Sequence, residues 1–139
     1  FEDKEIILYA YQKEIPFLGI CLGMQEMGVF FDGTLGDFKD SFHKQIKDYV
    51  HEVTIKKDSF LYQIVGKEKI NVNSRHKSFV EKTSLSTCAT YDHTIEAIED
   101  KTKPFFLGVQ WHPEAMISYD EDADKILSAF VKACENRDA

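Results

Sequence analysis

The sequence predicts an α/β fold, in which helices and buried strands alternate along one chain. A short apolar run, Phe17–Ile20, lies between two stretches of helix-favouring residues. A second run, 105–111, is apolar enough for the interior of a parallel sheet. Near the C-terminus, apolar residues recur at helical spacing. With 139 residues the chain is long enough for one core and too short for two ordinary domains, so we expect a single domain over 1–139.

Composition and charge argue against several classes of protein. Hydrophobic residues make up 43% of the chain, and no apolar run approaches the ~18 residues of a membrane span, so we expect no membrane crossing. The net charge is −7 and basic residues are scattered among acids, which argues against a nucleic-acid partner. Three cysteines at unpaired spacings argue against a disulfide framework and favour a reducing, cytoplasmic setting.

The N-terminal part begins with helix formers up to Gln12, and Pro16 ends this helix because proline disfavours the helical conformation in the residue before it. No methionine precedes Phe1, which stands where a helix would already be under way, so we expect the domain to lack its N-terminal portion. After the first strand we predict a helix over 24–29 and a glycine-punctuated loop over 32–37.

The middle of the chain predicts strands joined by short connections. Apolar and polar residues alternate over 50–55, which is typical of a half-buried strand. Asp58 or Ser59 then stands where it can cap a short helix. Three further strands are predicted, two of them joined by a hairpin turn at Asp92 and His93: 69–72, 88–91 and 94–98.

The C-terminal helix combines an acidic N-terminal end with one apolar stripe. The stripe predicts the buried face of the helix: Ile126, Leu127, Phe130, Val131 and Cys134. Cys134 is therefore interpreted as a core residue rather than a reactive one, because free cysteine is among the most buried residue types.

Cys21 ends the first predicted strand, between Gly19 and Gly23, and a helix follows it. Such a turn suits a nucleophile, since glycines permit a tight backbone and a helix N-terminus favours the thiolate. In the nucleophile elbow of serine hydrolases, the next backbone N–H stabilises the oxyanion, and here that group belongs to Leu22. The alternative interpretation is that Cys21 is simply a small buried hydrophobe.

His112 and Glu114 end the last predicted strand, where they offer a proton acceptor and a carboxylate to orient it. Strand ends on one edge of an α/β sheet form ligand sites, so we expect them to meet Cys21. A solvent-exposed histidine is the alternative. His43, His51 and His93 lack a neighbouring carboxylate on a strand end, whereas His76 belongs to 73–76, either an ordinary polar loop or a binding loop.

Neither a metal site nor a cofactor is predicted. His112 and Glu114 have no third ligand at a recognisable spacing, and no His-Glu-x-x-His occurs. The glycines around Cys21 form neither a P-loop nor a dinucleotide-binding fingerprint.

Three motifs together resemble the class I glutamine amidotransferases, and within them the branch that hydrolyses γ-glutamyl-γ-aminobutyrate. Gly-Ile-Cys-Leu-Gly-Met-Gln at 19–25 is similar to the nucleophile motif of the family. Gly-Val-Gln-Trp-His-Pro-Glu at 108–114 is similar to its His-x-Glu strand end, and Val-Asn-Ser-Arg-His at 72–76 to a loop of the hydrolase branch. The resemblance implies a three-layer, flavodoxin-like class I amidotransferase sheet.

The resemblance also implies roles for single residues. Cys21, His112 and Glu114 correspond to the catalytic triad, and Leu22 to an oxyanion N–H donor. The substrate-binding residues that the resemblance implies are Gln25, Ser74, Arg75 and His76. The chain departs from the family in having Leu22 where the branch often has arginine, and the second oxyanion loop of the family lies upstream of the sequence.

The leading hypothesis is hydrolysis of a γ-glutamyl amide through a cysteine thioester, with a small γ-glutamyl compound or glutamine as substrate. One alternative is a glutaminase subunit that supplies ammonia to a separate synthase. The other is a catalytically inert binding module. The sequence leaves the oligomeric state undetermined.

Overall fold

The computed structural model describes residues 2–138, so Phe1, the first residue of the predicted N-terminal helix, lies outside the described residues. Within this range the helices are α1 (Glu2–Gln12), α2 (Leu22–Phe30), α3 (Phe60–Val65) and α4 (Glu121–Asp138). The strands are β1 (Phe17–Ile20), β2 (Thr34–Asp37), β3 (His51–Ile55), β4 (Lys69–Val72), β5 (Ser78–Lys82), β6 (Ser86–Tyr91), β7 (Thr94–Glu99) and β8 (Phe106–Val109). One 3₁₀ turn, Pro113–Ala115, follows β8.

The described strands form a six-stranded sheet in the order β1-β8-β7-β6-β3-β4, and β2 pairs with β5 in a separate two-stranded sheet. β1 runs parallel to β8, with Ile20 opposite Val109. The other pairs in the large sheet are antiparallel. Because β1 and β8 are parallel, their carboxyl ends lie side by side at one edge of the sheet.

Apolar side chains from both faces of the large sheet form two cores, which gives three layers. On one face, Leu107 and Val109 of β8 pack with residues of α3 and α4. On the other, Phe106 packs with Met24 and Met27 of α2 and with Ile7 of α1. Neighbouring residues of β8 thus enter opposite cores, and all four residues of this strand are buried, as predicted for an interior strand.

Several predicted elements are confirmed. The burial of β3 alternates from residue to residue, and α1 ends at Gln12, before Pro16. Ser59 is the cap of α3, since its side chain accepts a hydrogen bond from the Tyr62 N–H. The hairpin turn between β6 and β7 contains Asp92 and His93, both with positive φ, as tight hairpin turns require.

The loop predicted over 32–37 is only partly correct, because 34–37 form β2. This strand depends on pairing with β5, which local sequence did not indicate. Gly36 leaves room for the Phe79 ring on β5, since a Cβ at this position would lie 2.5 Å from Cζ of that ring. Tertiary pairing therefore overrides the local preference of a glycine-containing segment.

The apolar stripe predicted for α4 is rotated relative to the buried face. Ala123 and Ile126 are buried, and Ala129, Phe130 and Ala133 pack partly against the core. Val131 is 53% exposed, and Cys134 is half-buried rather than a core residue. The alanines on the packed face allow α4 to approach the sheet closely. The prediction ranked residues by hydrophobicity, so it left these alanines out of the buried face.

No helix within residues 2–138 has the length and apolar character that a membrane crossing requires.

Candidate active site

Cys21 lies on the tight turn that joins β1 to α2. It is the N-cap of α2 and adopts φ 53 and ψ −102, a conformation that non-glycine residues rarely adopt. Its N–H donates to the Val109 carbonyl at 2.8 Å, which extends the β1-β8 pairing by one residue. Strained backbone of this kind costs on the order of 1–3 kcal/mol and is concentrated at functional sites. The turn therefore presents the Cys21 side chain at the carboxyl edge of the sheet.

The two glycines beside Cys21 differ in their surroundings. A Cβ at Gly19 would lie 2.6 Å from Met27 Sδ and 2.8 Å from the Gly23 carbonyl carbon, so only glycine allows α2 to approach β1 this closely. A Cβ at Gly23 would meet no atom within 4 Å. Packing thus requires Gly19, whereas Gly23 leaves open space on the first turn of the helix.

His112 and Glu114 lie just beyond the end of β8. The His112 Nδ1–H donates to Glu114 Oε2 at 2.8 Å. Pro113 begins the 3₁₀ turn between them and limits their relative motion. The side chain of His112 is 26% exposed and that of Glu114 is 50% exposed, so the pair lies at the surface. With Nδ1 bound to the carboxylate, Nε2 is the nitrogen available to a reacting group.

The fold brings Cys21 and His112 together from distant positions in the sequence. A hydrogen-bonding interaction with the Cys21 side chain is the largest cause that raises the pKa of His112 to about 9, and the hydrogen bond to Glu114 acts in the same direction. The imidazole therefore carries its proton at neutral pH. A protonated imidazole at this position can give its proton to a departing amine, which is the role of a general acid.

Leu22 is the first residue of α2, so its N–H has no carbonyl four residues earlier in the helix to bind. Its side chain is 63% exposed. The backbone N–H of Leu22, rather than its side chain, is therefore the candidate oxyanion donor.

Gln25 and Gln110 form a buried chain of hydrogen bonds beneath Cys21. Gln25 Nε2 donates to the Ser78 carbonyl at 3.0 Å and to Gln110 Oε1 at 3.3 Å. Gln110 Nε2 in turn donates to Cys21 Sγ at 3.5 Å. Gln25 was predicted to contact substrate, but it is buried and its amide binds these protein groups rather than pointing to solvent. Gln110 was not predicted as a site residue, although it lies two residues before His112.

Of the other predicted substrate residues, Arg75 alone is exposed. Ser74 is fully buried, and its hydroxyl lies 2.7 Å from His43 Nδ1. His76 is also buried, with its Nδ1–H donating to the Ser78 carbonyl at 2.7 Å. Burial is the largest cause that lowers the pKa of His76 to about 4, so this ring is neutral at physiological pH.

Asn73 begins the loop 73–76, which the sequence offered as a possible binding loop, but no role was predicted for Asn73 itself. Its Nδ2 donates to the His112 carbonyl at 3.0 Å, and its Oδ1 accepts from the His112 N–H at 2.8 Å. The amide thus holds the backbone of His112 from both sides. The sequence feature that could have indicated this role is the position of Asn73 directly after β4, at the start of a polar loop.

A second group of titratable side chains lies in the interior. His43, His51 and Glu96 are buried, and each offers a ligand atom within 4.8 Å of the others, which makes them the group in residues 2–138 that could hold a metal ion. Burial lowers the pKa of His43 and His51 and raises that of Glu96 to about 8. None of the three was predicted as a site residue.

Comparisons with known proteins point to the same family as the motifs. Residues 2–114 match the family model described as peptidase C26. A Schizosaccharomyces pombe protein, provisionally named a glutamine amidotransferase, is 34% identical over 91% of this chain. One subunit of the glutamine-hydrolysing GMP synthase of Methanocaldococcus jannaschii is 34% identical over 94% of the chain.

A solved structure shares the fold. The crystal structure of a Thermoplasma acidophilum protein, provisionally named as one subunit of a GMP synthase, superposes with a TM-score of 0.73 at 18% identity, over 95% of this chain and 63% of that one. The match covers 53% of the S. pombe protein and 66% of the M. jannaschii protein, so the chain spans between about half and two thirds of these relatives.

Proposed function

Because the chain belongs to the peptidase C26 family of the class I glutamine amidotransferase superfamily, we propose that it hydrolyses a γ-glutamyl amide through a thioester on Cys21. The observation that carries the proposal is the position of Cys21 and His112 beyond the adjacent carboxyl ends of β1 and β8, with His112 bound to Glu114. The pKa of His112, raised to about 9 with Cys21 as the largest cause, supports the same pairing. The expected substrates are γ-glutamyl derivatives of small amines, of which γ-glutamyl-γ-aminobutyrate is the example in the related hydrolase branch.

In the first half of the reaction, Cys21 Sγ attacks the side-chain carbonyl carbon of the substrate. The new negative charge on oxygen lies near the Leu22 N–H, at the positive end of α2, which stabilises it. The C–N bond then breaks, and His112 gives its proton to the departing amine. Glu114 keeps the ring oriented throughout, through the bond to Nδ1.

In the second half, His112 accepts a proton from water, and the resulting hydroxide attacks the thioester carbon. The C–S bond breaks, glutamate leaves, and Cys21 returns to the thiolate beside the protonated ring. Gln110 supports the sulfur from beneath, because its Nε2–H points at Sγ. Arg75, as the exposed cation among the predicted substrate residues, is the proposed contact for the substrate carboxylate.

A glutaminase subunit that passes ammonia to a synthase is the second candidate. It is favoured by the 34% identity to the M. jannaschii GMP synthase subunit. The same thioester chemistry on glutamine would release ammonia, so the two functions differ in substrate and in dependence on a partner.

Glutamate release from γ-glutamyl amides and from glutamine separates these candidates. We expect hydrolysis of γ-glutamyl amides by the chain alone. Preference for glutamine that develops only when a synthase is added would support the second candidate instead.

Two variants and a label complete the test. Cys21→Ser is expected to lose turnover by about 10³-fold or more with the fold intact, whereas the matched Cys134→Ser is expected to keep it. Mass spectrometry after treatment with a glutamine-like electrophile is expected to find the label on Cys21. An unlabelled Cys21 together with no glutamate release would identify an inert binding module.

A further inference from the structure

We propose that His43, His51 and Glu96 form a binding site for a divalent transition-metal ion, with Zn²⁺ as the ion that suits them best. This site is separate from Cys21, His112 and Glu114 and does not depend on the function proposed above. One ligand atom from each of the three buried side chains lies within 4.8 Å of the others. Two imidazoles and one carboxylate are a common zinc ligand set.

The hydrogen bonds of the cluster leave lone pairs facing one another. The His51 Nδ1–H donates to the Glu52 carbonyl at 3.4 Å, so its Nε2 is an acceptor, and it faces Glu96 Oε1 at 3.7 Å. This distance is too long for a direct hydrogen bond. Ligand atoms around a tetrahedral zinc ion lie about 3.4 Å apart, so a small contraction would suit an ion between them.

Two buried polar atoms of the cluster lack hydrogen-bond partners. Among residues 2–138, four buried side-chain atoms have no hydrogen-bond partner, and two of them are His51 Nε2 and Glu96 Oε2. Glu96 is 1% exposed, and among the described residues no lysine or arginine lies within 4.0 Å of its oxygens. A buried carboxylate without a cation is costly, and a bound cation removes that cost.

The surroundings resemble the second shell of a metal site. His43 Nδ1 lies 2.7 Å from Ser74 Oγ, which leaves the other ring nitrogen for the ion. Phe38 stacks on His43 with ring centroids 4.1 Å apart, and Tyr91 stacks on His51 at 3.9 Å. These rings hold both imidazoles in place, and both imidazoles are buried.

An ion at this position would connect distant parts of the chain. His51 belongs to β3, Glu96 to β7, and His43 to the segment between β2 and β3. The His43 carbonyl also accepts from the His76 N–H at 2.7 Å, so the ion would stabilise the loop that begins with Asn73.

Zinc binding by the full 139-residue chain tests the proposal. The Cys21→Ser background is used so that the thiol cannot bind zinc. After removal of metal with a chelator, calorimetric titration with Zn²⁺ and elemental analysis are expected to give about one ion per chain. Glu96→Gln and His51→Asn are expected to weaken binding by about 100-fold, with circular dichroism checking the fold.

His93→Asn is the matched control, because His93 is an exposed histidine in a turn where asparagine also adopts positive φ. It is expected to bind zinc like the parent. Equal binding by all variants, or no binding by the parent, would overturn the proposal. If the ligand variants fail to fold, X-ray absorption of the zinc-loaded parent decides: two imidazoles and oxygen support the site, and any other ligand set refutes it.

Discussion

His112 and His51 show how two histidines in one small protein acquire opposite properties. His112 lies at the surface beside a thiol and a carboxylate, and these partners raise its pKa to about 9. His51 is buried between Tyr91 and Glu96, and burial is the largest cause that lowers its pKa. The contrast teaches that partners and burial, rather than residue type, decide whether an imidazole can donate a proton or offer a lone pair.

Removing the ring of His112 should lower activity more than any other change considered below. His112→Gln is expected to lower kcat for the proposed hydrolysis by about 10³-fold, because no group would then protonate the leaving amine. His93→Asn, which removes an exposed histidine elsewhere, should leave kcat unchanged. Steady-state kinetics measures kcat for both variants. A comparable loss of kcat in both would contradict the special role of His112.

Neutralising Glu114 should lower the raised pKa that distinguishes His112 from His51. The pKa of His112 is raised above its ordinary 6.5, so the stability from its charged form is present below pH 6.5 and is lost as pH rises through about 9. Glu114→Gln should lower this pKa, and the alkaline decline of activity should move to lower pH. Ring chemical shifts from NMR and a pH-rate profile measure the change. If the alkaline limb of the pH-rate profile stays at the same pH, Glu114 is not the group that raises the pKa of His112.

Asn73→Ala tests whether the backbone of His112 must be held in place. The variant loses two hydrogen bonds to His112, and we expect about a 10-fold lower kcat with a smaller change in KM. Asn71→Ala, at an exposed position on β4, is the control. If the two variants have equal kcat, Asn73 has no positioning role.

A change beside the buried histidine should affect stability rather than turnover. Tyr91→Leu removes the ring stacked on His51 and should lower the free energy of unfolding by about 1 kcal/mol. Turnover should stay within about twofold of the parent, since Tyr91 lies on β6, outside the Cys21 turn. Urea denaturation and activity measurements on the same samples make the comparison. A large loss of turnover without loss of stability would show that the two regions are coupled.

Much of the fold and of the candidate site was predictable because local rules agree with the tertiary structure there. The apolar run of β1, the alternation in β3 and the Ser59 cap are each set by neighbours in sequence. The position of Cys21 and His112 at one edge of the sheet was also predictable, since both follow strands whose carboxyl ends lie side by side. The resemblance to the amidotransferases, confirmed by the family match, pointed to the same residues.

The remainder depends on contacts between residues distant in sequence. β2 exists because β5 pairs with it, and the role of Asn73 depends on a backbone 39 residues away. The group formed by His43, His51 and Glu96 follows no ligand spacing, because its members come from a loop and two strands that are not neighbours in the sheet. Such groups become visible only when the sheet order is known.

The backbone conformation of Cys21 implies a conflict between folding and chemistry. Glycine tolerates φ 53 far better than any residue with a side chain, so Cys21→Gly should raise the melting temperature of the protein while it removes the reactive sulfur. Random mutagenesis followed by selection for thermal stability alone would therefore favour loss of the thiol. If cysteine persists at this turn in the descendants of this protein, its retention must reflect selection on what the sulfur does.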